Sequence, residues 1–281
     1  MLALIDADII VYEASTFGGR ENPFDGIVRK DFTVVEAMQD RIMKDLERII
    51  DATSADNLLL IFSPDSRSNF RKMVSSEYKK SRPGISGKPW AYWQLVAWCR
   101  DTYPCLDYEG IEGDDLLGIL QTKNLEEGAS DTVVVSSDKD LRTIPGWLYD
   151  HKKENLIKIT ENMANYWWMT QTLIGDPTDG YTGIPGIGPK KAERILPPLT
   201  LDEDPAVFFH RLWTEVCLAY LEYFEDDAKI ASAEAVRQAR LARILRSGDF
   251  DFNTEAILLW RPDGGDWLPQ KLVINHARNL Q

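Results

Sequence analysis

Acids at the ends of apolar segments are the residues whose types and spacing could carry chemistry in this chain. Glu112, Asp114 and Asp115 open an apolar helical pattern (Leu116, Leu117, Ile119, Leu120), and Asp138 and Asp140 follow the β-branched run Val133-Val134-Val135. If a strand-helix-strand arrangement delivers both groups to one crevice, their charges repel and their pKa values rise. A bound divalent cation removes that penalty. Capping and the helix dipole account for acids in a single first turn. Recurrence is what points to a site: Asp6 closes the run Leu2 to Ile5, and Asp65 follows the run Leu58 to Phe62.

Positioning those acids takes strands and helices in alternation. Leu2 to Ile5, Leu58 to Phe62 and residues 132–136 read as buried strands. Trp147 to Tyr149 reads as a hairpin partner of Leu156 to Ile159. Val35, Met38, Ile42, Leu46 and Ile49 recur at helical spacing after a loop around residues 18–26. A second helix carries Trp90, Tyr92, Trp93 and Trp98 after a turn at 83–87, and a third covers 112–123. This order predicts an α/β fold with a mostly parallel central sheet flanked by helices. After Glu161 the pattern turns helical, over 161–174, 189–196, 205–224 and 229–247. A boundary near residue 165 would then divide a core, 1–165, from a helical C-terminal lobe, 166–281, with Trp260 and Trp267 in its tail.

Composition narrows the chemistry. No apolar run approaches the roughly 20 residues of a membrane span, and the N-terminus lacks the basic start of a signal peptide, so a cytosolic protein with no membrane contact is expected. The 3 cysteines have no metal-type spacing, and the 3 histidines lie outside any motif. That weighs against a disulfide framework, a zinc site and a histidine base. Hydrolysis here would have to run on carboxylates and hard cations. A net charge of −13 opposes a generic nucleic-acid binder. Locally, however, Arg67, Arg71, Lys72, Lys79, Lys80, Arg82 and Lys88 face the single acid Glu77, a basic strip that attracts phosphates over a Debye length.

A second informative stretch runs from Gly175 to Leu196. Its Gly186-Ile187-Gly188 turn, with Gly183 upstream, leads into a helix started by Pro189 and followed by Lys190 and Lys191. Glycines let the backbone approach a phosphate, which the N–H groups of a helix start then face. The stretch lacks the GK[ST] ending of a P-loop. It suits a helix-turn-helix-type clamp that grips a sugar-phosphate backbone without reading bases. Arg237, Arg240, Arg243 and Arg246 recur every third residue, which reads first as a solvated helical face and second as a further phosphate contact.

Taken in order, these segments resemble the 5′ nuclease (flap endonuclease) family, and within it the short phage-encoded 5′→3′ exonucleases. The resemblance rests on Leu4-Ile5-Asp6-Ala7-Asp8, Phe62-Ser63-Pro64-Asp65, Phe70-Arg71-Lys72, Tyr78-Lys79-Lys80-Ser81-Arg82, Glu112-Gly113-Asp114-Asp115, Ser137-Asp138-Lys139-Asp140 and Gly175 to Ala192. It covers roughly residues 1–196, and Ala242 to Arg246 and Leu259 to Pro262 also look like the phage branch. It implies a PIN-like nuclease core with a short helical arch within about 66–105, and a helix-2-turn-helix (helix-hairpin-helix-type) DNA clamp in the C-terminal lobe. Asp6, Asp65, Glu112 and Asp114 would hold one Mg²⁺, and Asp115, Asp138, Asp140, Asp176 and Asp179 a second, with Mn²⁺ able to substitute. Lys79 and Arg82 would contact the scissile phosphate, with Asp6, Asp138 and Asp140 beside them in the catalytic set. Arg71, Lys72, Tyr78 and Lys80, and Gly183, Gly186, Gly188, Lys190 and Lys191 in the clamp, would bind DNA, with K⁺ at the clamp. The implied partners are double-stranded DNA with 5′ ends, nicks or short flaps, RNA–DNA hybrids and replication proteins.

Two other classes fit less of the chain. A haloacid-dehalogenase-like phosphatase would use Asp6, Asp8, Ser63, Lys139, Asp176 and Asp179, and leaves Glu112, Asp114, Asp115, the basic strip and the clamp without a role. A non-catalytic DNA-structure binder would keep the clamp, but crowded acids with no use only destabilise a fold.

Overall fold

Short apolar runs become parallel strands whose ends meet on one edge. The computed structural model describes residues 1–16, 32–64, 69–81, 87–128, 131–262 and 271–273. Asp65, Arg67 and Arg82 lie outside the described residues, as do residues 18–26, the turn 83–86 and Trp267. β1 (Leu2–Asp6) leads into α1 (Ala7–Thr16), α2 (Phe32–Thr53) and β2 (Asn57–Ile61). Next come α3 (Arg71–Val74), α4 (Tyr92–Thr102), β3 (Cys105–Leu106), α5 (Gly113–Glu126) and β4 (Thr132–Val135). A 3₁₀ turn over Lys139–Thr143 precedes the hairpin of β5 (Gly146–Asp150) and β6 (Asn155–Ile159).

The strand order is β3-β2-β1-β4-β5-β6, parallel up to β5, with β6 antiparallel. From β1 the chain moves outward through β2 to β3, then returns to place β4 on the other side of β1. The C-terminal ends of β1, β2 and β4 therefore flank a topological switch point, the place where open α/β sheets bind ligands. Register sets those ends level: Asp6 sits opposite Ile61, and Ile5 opposite Val135.

Alternation along the strands feeds two cores. Ala3, Ile5, Leu60, Val133 and Val135 pack with α1, α2 and α4 on one face. Leu4, Ile61 and Val134 pack with Leu116, Leu117 and Ile119 of α5 on the other. Each such buried aliphatic side chain contributes about 1.5–3 kcal/mol relative to exposure. A third core joins α6 (Glu161–Ile174), α7 (Pro189–Ile195), α8 (Pro205–Tyr223) and α9 (Ala228–Ala242) through Leu173, Ala192, Phe208, Leu212, Ala235 and Ala239.

Three features depart from the sequence pattern. α1 starts directly after Asp6. α9 stops at Ala242, short of residue 247, because the backbone beyond it is engaged by other side chains, as described below. The helical C-terminal part also carries a small antiparallel sheet, β7 (Phe250–Asp251), β8 (Ala256–Leu258) and β9 (Lys271–Val273), and Phe250 and Ile257 return to the core beside α5. Among the described residues, no helix is long and apolar enough to cross a membrane.

Candidate active site

Four elements bring acids to the edge where β1 and β4 end. Asp6 closes β1, Asp114 lies in the first turn of α5, and Asp138 and Asp140 start the 3₁₀ turn after β4. The loop after α6 adds Asp176 and Asp179. Asp6 is 7% exposed, and Ser136 holds it by donating from Oγ to Oδ2 at 2.7 Å. The same hydroxyl accepts the Asp138 N–H at 3.0 Å, so one buried serine couples two acids. Asp138 Oδ1 accepts the Asp140 N–H at 2.8 Å, and Gln171 donates to Asp140 Oδ1 at 2.5 Å. Burial, then the charges of Asp8 and Asp138, push the Asp6 carboxyl up to about 7. Burial and Asp138 push Asp140 up to about 6. Asp114 lies well above the usual carboxylate range through burial and the charges of Asp6 and Asp138. Asp138 is thus the acid felt by both halves of the cluster.

Two lysines stand among these carboxylates. Lys79 Nζ lies 2.5 Å from Glu112 Oε1 and 3.6 Å from Asp179 Oδ2. Lys139 Nζ lies 3.9 Å from Asp140 Oδ1 and 3.7 Å from Asp176 Oδ2. Burial would raise the Glu112 carboxyl, but Lys79 and Arg71 outweigh it and hold Glu112 down at about 2. The Lys79 backbone has φ 52°, and its N–H donates to the Asp179 carbonyl at 2.8 Å. Gly180 makes that approach possible: a Cβ there would stand 2.3 Å from the Glu77 carbonyl oxygen.

The structure corrects several expectations. Arg71 is 3% exposed and faces inward: its guanidinium donates to both oxygens of Asp115, at 2.6 and 2.7 Å, and so is closed to DNA. Asp115 is 0% exposed, and the N–H groups of Leu245 (3.0 Å) and Glu112 (3.2 Å) complete its set of donors. Four donors fill the lone-pair sites of that carboxylate, so Asp115 is not open to a metal ion. Tyr78 is buried, with its hydroxyl 2.9 Å from Glu112 Oε2, and presents no ring for a base. Within the segment 69–81, Tyr78 and Lys79 thus lie against Glu112 in the crevice. Gly183 is buried and gives its N–H to Gln238 Oε1 at 3.0 Å, so it is not a backbone contact for DNA. The arginine ridge is engaged within the protein: the half-exposed Arg237 forks onto Glu234, Arg240 donates to the Trp260 carbonyl, Arg243 pairs with Asp249 over the Trp168 ring, and Arg246 pairs with Glu161.

The other expected positions lie on the surface. Gly186 has φ 83°, and a Cβ built on Gly186 or Gly188 meets nothing within 4 Å, so that turn opens outward with Lys190 and Lys191 exposed beside it. Lys80 is exposed and pairs with Glu77 at 2.9 Å, and Lys72 is half-buried. Asp8 is engaged at both oxygens, by the Ser63 N–H (2.8 Å) and the Tyr92 hydroxyl (2.5 Å), and ties the first turn of α1 to the end of β2 and to α4. Among the described residues, no three acids converge on one metal-sized point.

Residues 1–163 match the family described as 5'-3' exonuclease, N-terminal resolvase-like domain. The chain belongs to this 5′–3′ exonuclease family. Among its relatives, the exonuclease of Escherichia phage T7 is 30% identical over 216 residues, covering 69% of this chain and 71% of that protein. The exodeoxyribonuclease of Enterobacteria phage T3 is 29% identical over 216 residues, covering 69% and 70%. The fold is also that of the T5 5'-exonuclease carrying divalent zinc ions, with a TM-score of 0.58 at 14% identity over 86% of this chain and 93% of the other.

The donor set of this family member fits divalent cations. It is all oxygen and crowded, and its raised carboxyl pKa values are the sign of negative charge awaiting a counter-ion. Ser136 and Gln171, which the sequence did not single out, are supports of the site, and Ser63 is another, its Oγ accepting the Gly113 N–H at 3.0 Å. Ser136 had a local signal, because a serine two residues before Asp138 can cap the turn that Asp138 enters. Gln171 had none, being 31 residues from its partner.

These shifts predict the stability of the metal-free protein. Asp6 and Asp140 hold protons in the folded state that the unfolded chain releases near pH 4, so their contribution is greatest at low pH and is lost as pH rises through about 6 and about 7. Glu112, held at about 2, is constant over that window. In chelator, the melting temperature is expected to fall by several degrees between about pH 5 and about pH 8, with added divalent ion restoring it at the upper end. Thermal melts at the two pH values check this, and a flat or rising profile would contradict it.

Proposed function

We propose that this chain hydrolyses phosphodiester bonds of DNA, entering duplex from a 5′ end, a nick or a short flap. The observation that carries the reading is the cluster of Asp6, Asp114, Asp138 and Asp140 at one sheet edge, buried enough to raise three of their pKa values, with Lys79 among them. Asp6, Glu112 and Asp114, joined by Asp65, would hold one divalent ion. Asp138, Asp140, Asp176 and Asp179 would hold a second. Mg²⁺ suits such a site and Mn²⁺ would substitute. Ions bound there would acidify the attacking water and offset charge on the attacking and leaving oxygens.

The chain's own groups do the rest. Lys79 Nζ would donate to the phosphate oxygen on which charge develops, with Arg82 beside it. Ser136 keeps Asp6 and Asp138 at a fixed separation. Lys190 and Lys191, with the open turn Gly186 to Gly188, would grip the duplex backbone behind the cut, with K⁺ at that turn. Lys72 and Lys80 would add phosphate contacts nearer the crevice. Substrates extend in this reading to RNA–DNA hybrids, and the setting is phage DNA replication or host DNA degradation in the cytoplasm of an infected bacterium, alongside replication proteins.

One nicked duplex, labelled at each terminus in turn, tests the reading. With Mg²⁺ or Mn²⁺, 5′ label should leave first as mono- or short oligonucleotides, and none should leave in excess EDTA. Earlier release of 3′ label would overturn the polarity, and undiminished cleavage in EDTA would overturn the metal-dependent scheme.

A further inference from the structure

Residues 241–247 form a strap along α5, and every tie between them is a specific one. Arg71 donates to the carbonyls of Leu241 (3.2 Å) and Arg243 (2.6 Å), and the Leu245 N–H donates to Asp115 (3.0 Å). A Cβ on Gly118 would stand 2.4 Å from the Leu245 carbonyl oxygen, so backbone lies on backbone there. The Ser247 N–H then donates to Thr122 Oγ1 (2.8 Å), and Ser247 Oγ to Glu126 (2.6 Å). Asp115, Gly118, Thr122 and Glu126 lie at helical spacing on one face of α5. At the α5 start, the same Arg71 reaches Glu112 Oε2 at 3.3 Å, and Glu112 in turn holds Tyr78 and Lys79.

We propose that Arg71, clamped to Asp115, is a positioning residue through which the 241–247 strap sets Glu112 and Lys79 for the reaction. This rests on the nuclease reading above. A guanidinium is the one side chain that can fork onto a carboxylate and still reach two carbonyls and a second acid, which an ammonium cannot do. The strap thus fixes where α5 begins, and so where its acids point. DNA contact is not the role of Arg71, because nothing of it faces outward.

The test uses the full-length protein and the 5′-labelled nicked duplex, with kcat, KM and melting temperature measured for Arg71→Lys and Gly118→Ala. For Arg71→Lys, assayed well below its melting temperature, kcat should fall by about 30-fold or more with KM within about threefold. Gly118→Ala touches no residue of the site: its Cβ would meet the strap at the Leu245 carbonyl (2.4 Å) and the Ile244 side chain (3.0 Å), with the Ile144 side chain at 2.9 Å. It should lower kcat in the same direction, by about fivefold, with KM unchanged. A lowered melting temperature with wild-type kcat in either variant would make the network merely structural and overturn the proposal. A rise in KM without loss of kcat would also overturn it, by making Arg71 a DNA contact. If Arg71→Lys does not fold, Gly118→Ala decides. An inactive wild-type protein sinks the nuclease reading itself, whereas an active wild type with unaltered variants sinks only this inference.

Discussion

Asp138→Asn is expected to lower kcat on a 5′-ended duplex by on the order of 10³-fold while leaving DNA affinity in chelator equal or tighter. The reason is position. Asp138 is the one acid whose charge raises Asp6 and Asp114 on one side and Asp140 on the other. In the proposed scheme it is a ligand of the second cation site whose charge also acts on Asp6 and Asp114 of the first, so its loss disturbs both. The substitution is mild for the fold, because Asn keeps the Oδ1 that accepts the Asp140 N–H and starts the 3₁₀ turn. Removing a repelling charge should even raise the melting temperature of the metal-free protein and ease the fall in stability with pH. Electrophoretic binding shifts in EDTA, with single-turnover kinetics in Mg²⁺, separate the two effects. A variant that binds and cleaves normally would remove Asp138 from the site.

Lys79→Ala should follow at about 10²–10³-fold in kcat, with KM within a few-fold. Its ammonium sits at 2.5 Å from Glu112 in a protein without substrate, and a phosphate would compete for it. Because φ is 52° at this position, alanine meets the same backbone cost as lysine, so the change isolates the ammonium. Tyr78 and Arg71 remain to hold Glu112, which limits the structural consequence. An effect confined to affinity would make Lys79 a binding contact and remove it from the chemical step.

What the sequence made legible was local. Val133 to Val135 read as a buried strand because β-branched residues crowd a helix, and α6 runs over the predicted 161–174 because Thr160 caps it and Gly175 ends it at φ 70°. The acids were legible because they recur at strand ends, which parallel topology brings together. The tertiary reassignment of charge was not legible. Arg71 sits in a basic strip that looks solvated, yet its partners lie 44 and 170 residues away, at Asp115 and Leu241. The ridge Arg237 to Arg246 has a helical period, but the carbonyl of Arg243 and the N–H of Leu245 are taken by side chains, so the helix gives way at Ala242. Spacing reports which face a residue shares. It does not report which distant group claims it.

The strap has a consequence in time. Synthesis delivers Asp6, Asp114 and Asp138 long before it delivers Leu245, whose N–H is a donor to Asp115 across 130 residues. Until then, the part of α5 that ends against Ile244, Leu245, Phe250 and Ile257 lacks those partners. Contacts of such separation form late, because the loop entropy must be met before they reward it. A nascent chain on the ribosome would thus carry all the acids before the strap fixes the start of α5, where Glu112 and Asp114 lie. The fold delays its own competence until residues 241–247 have emerged, a built-in latency for a protein made in the presence of the DNA it would cut.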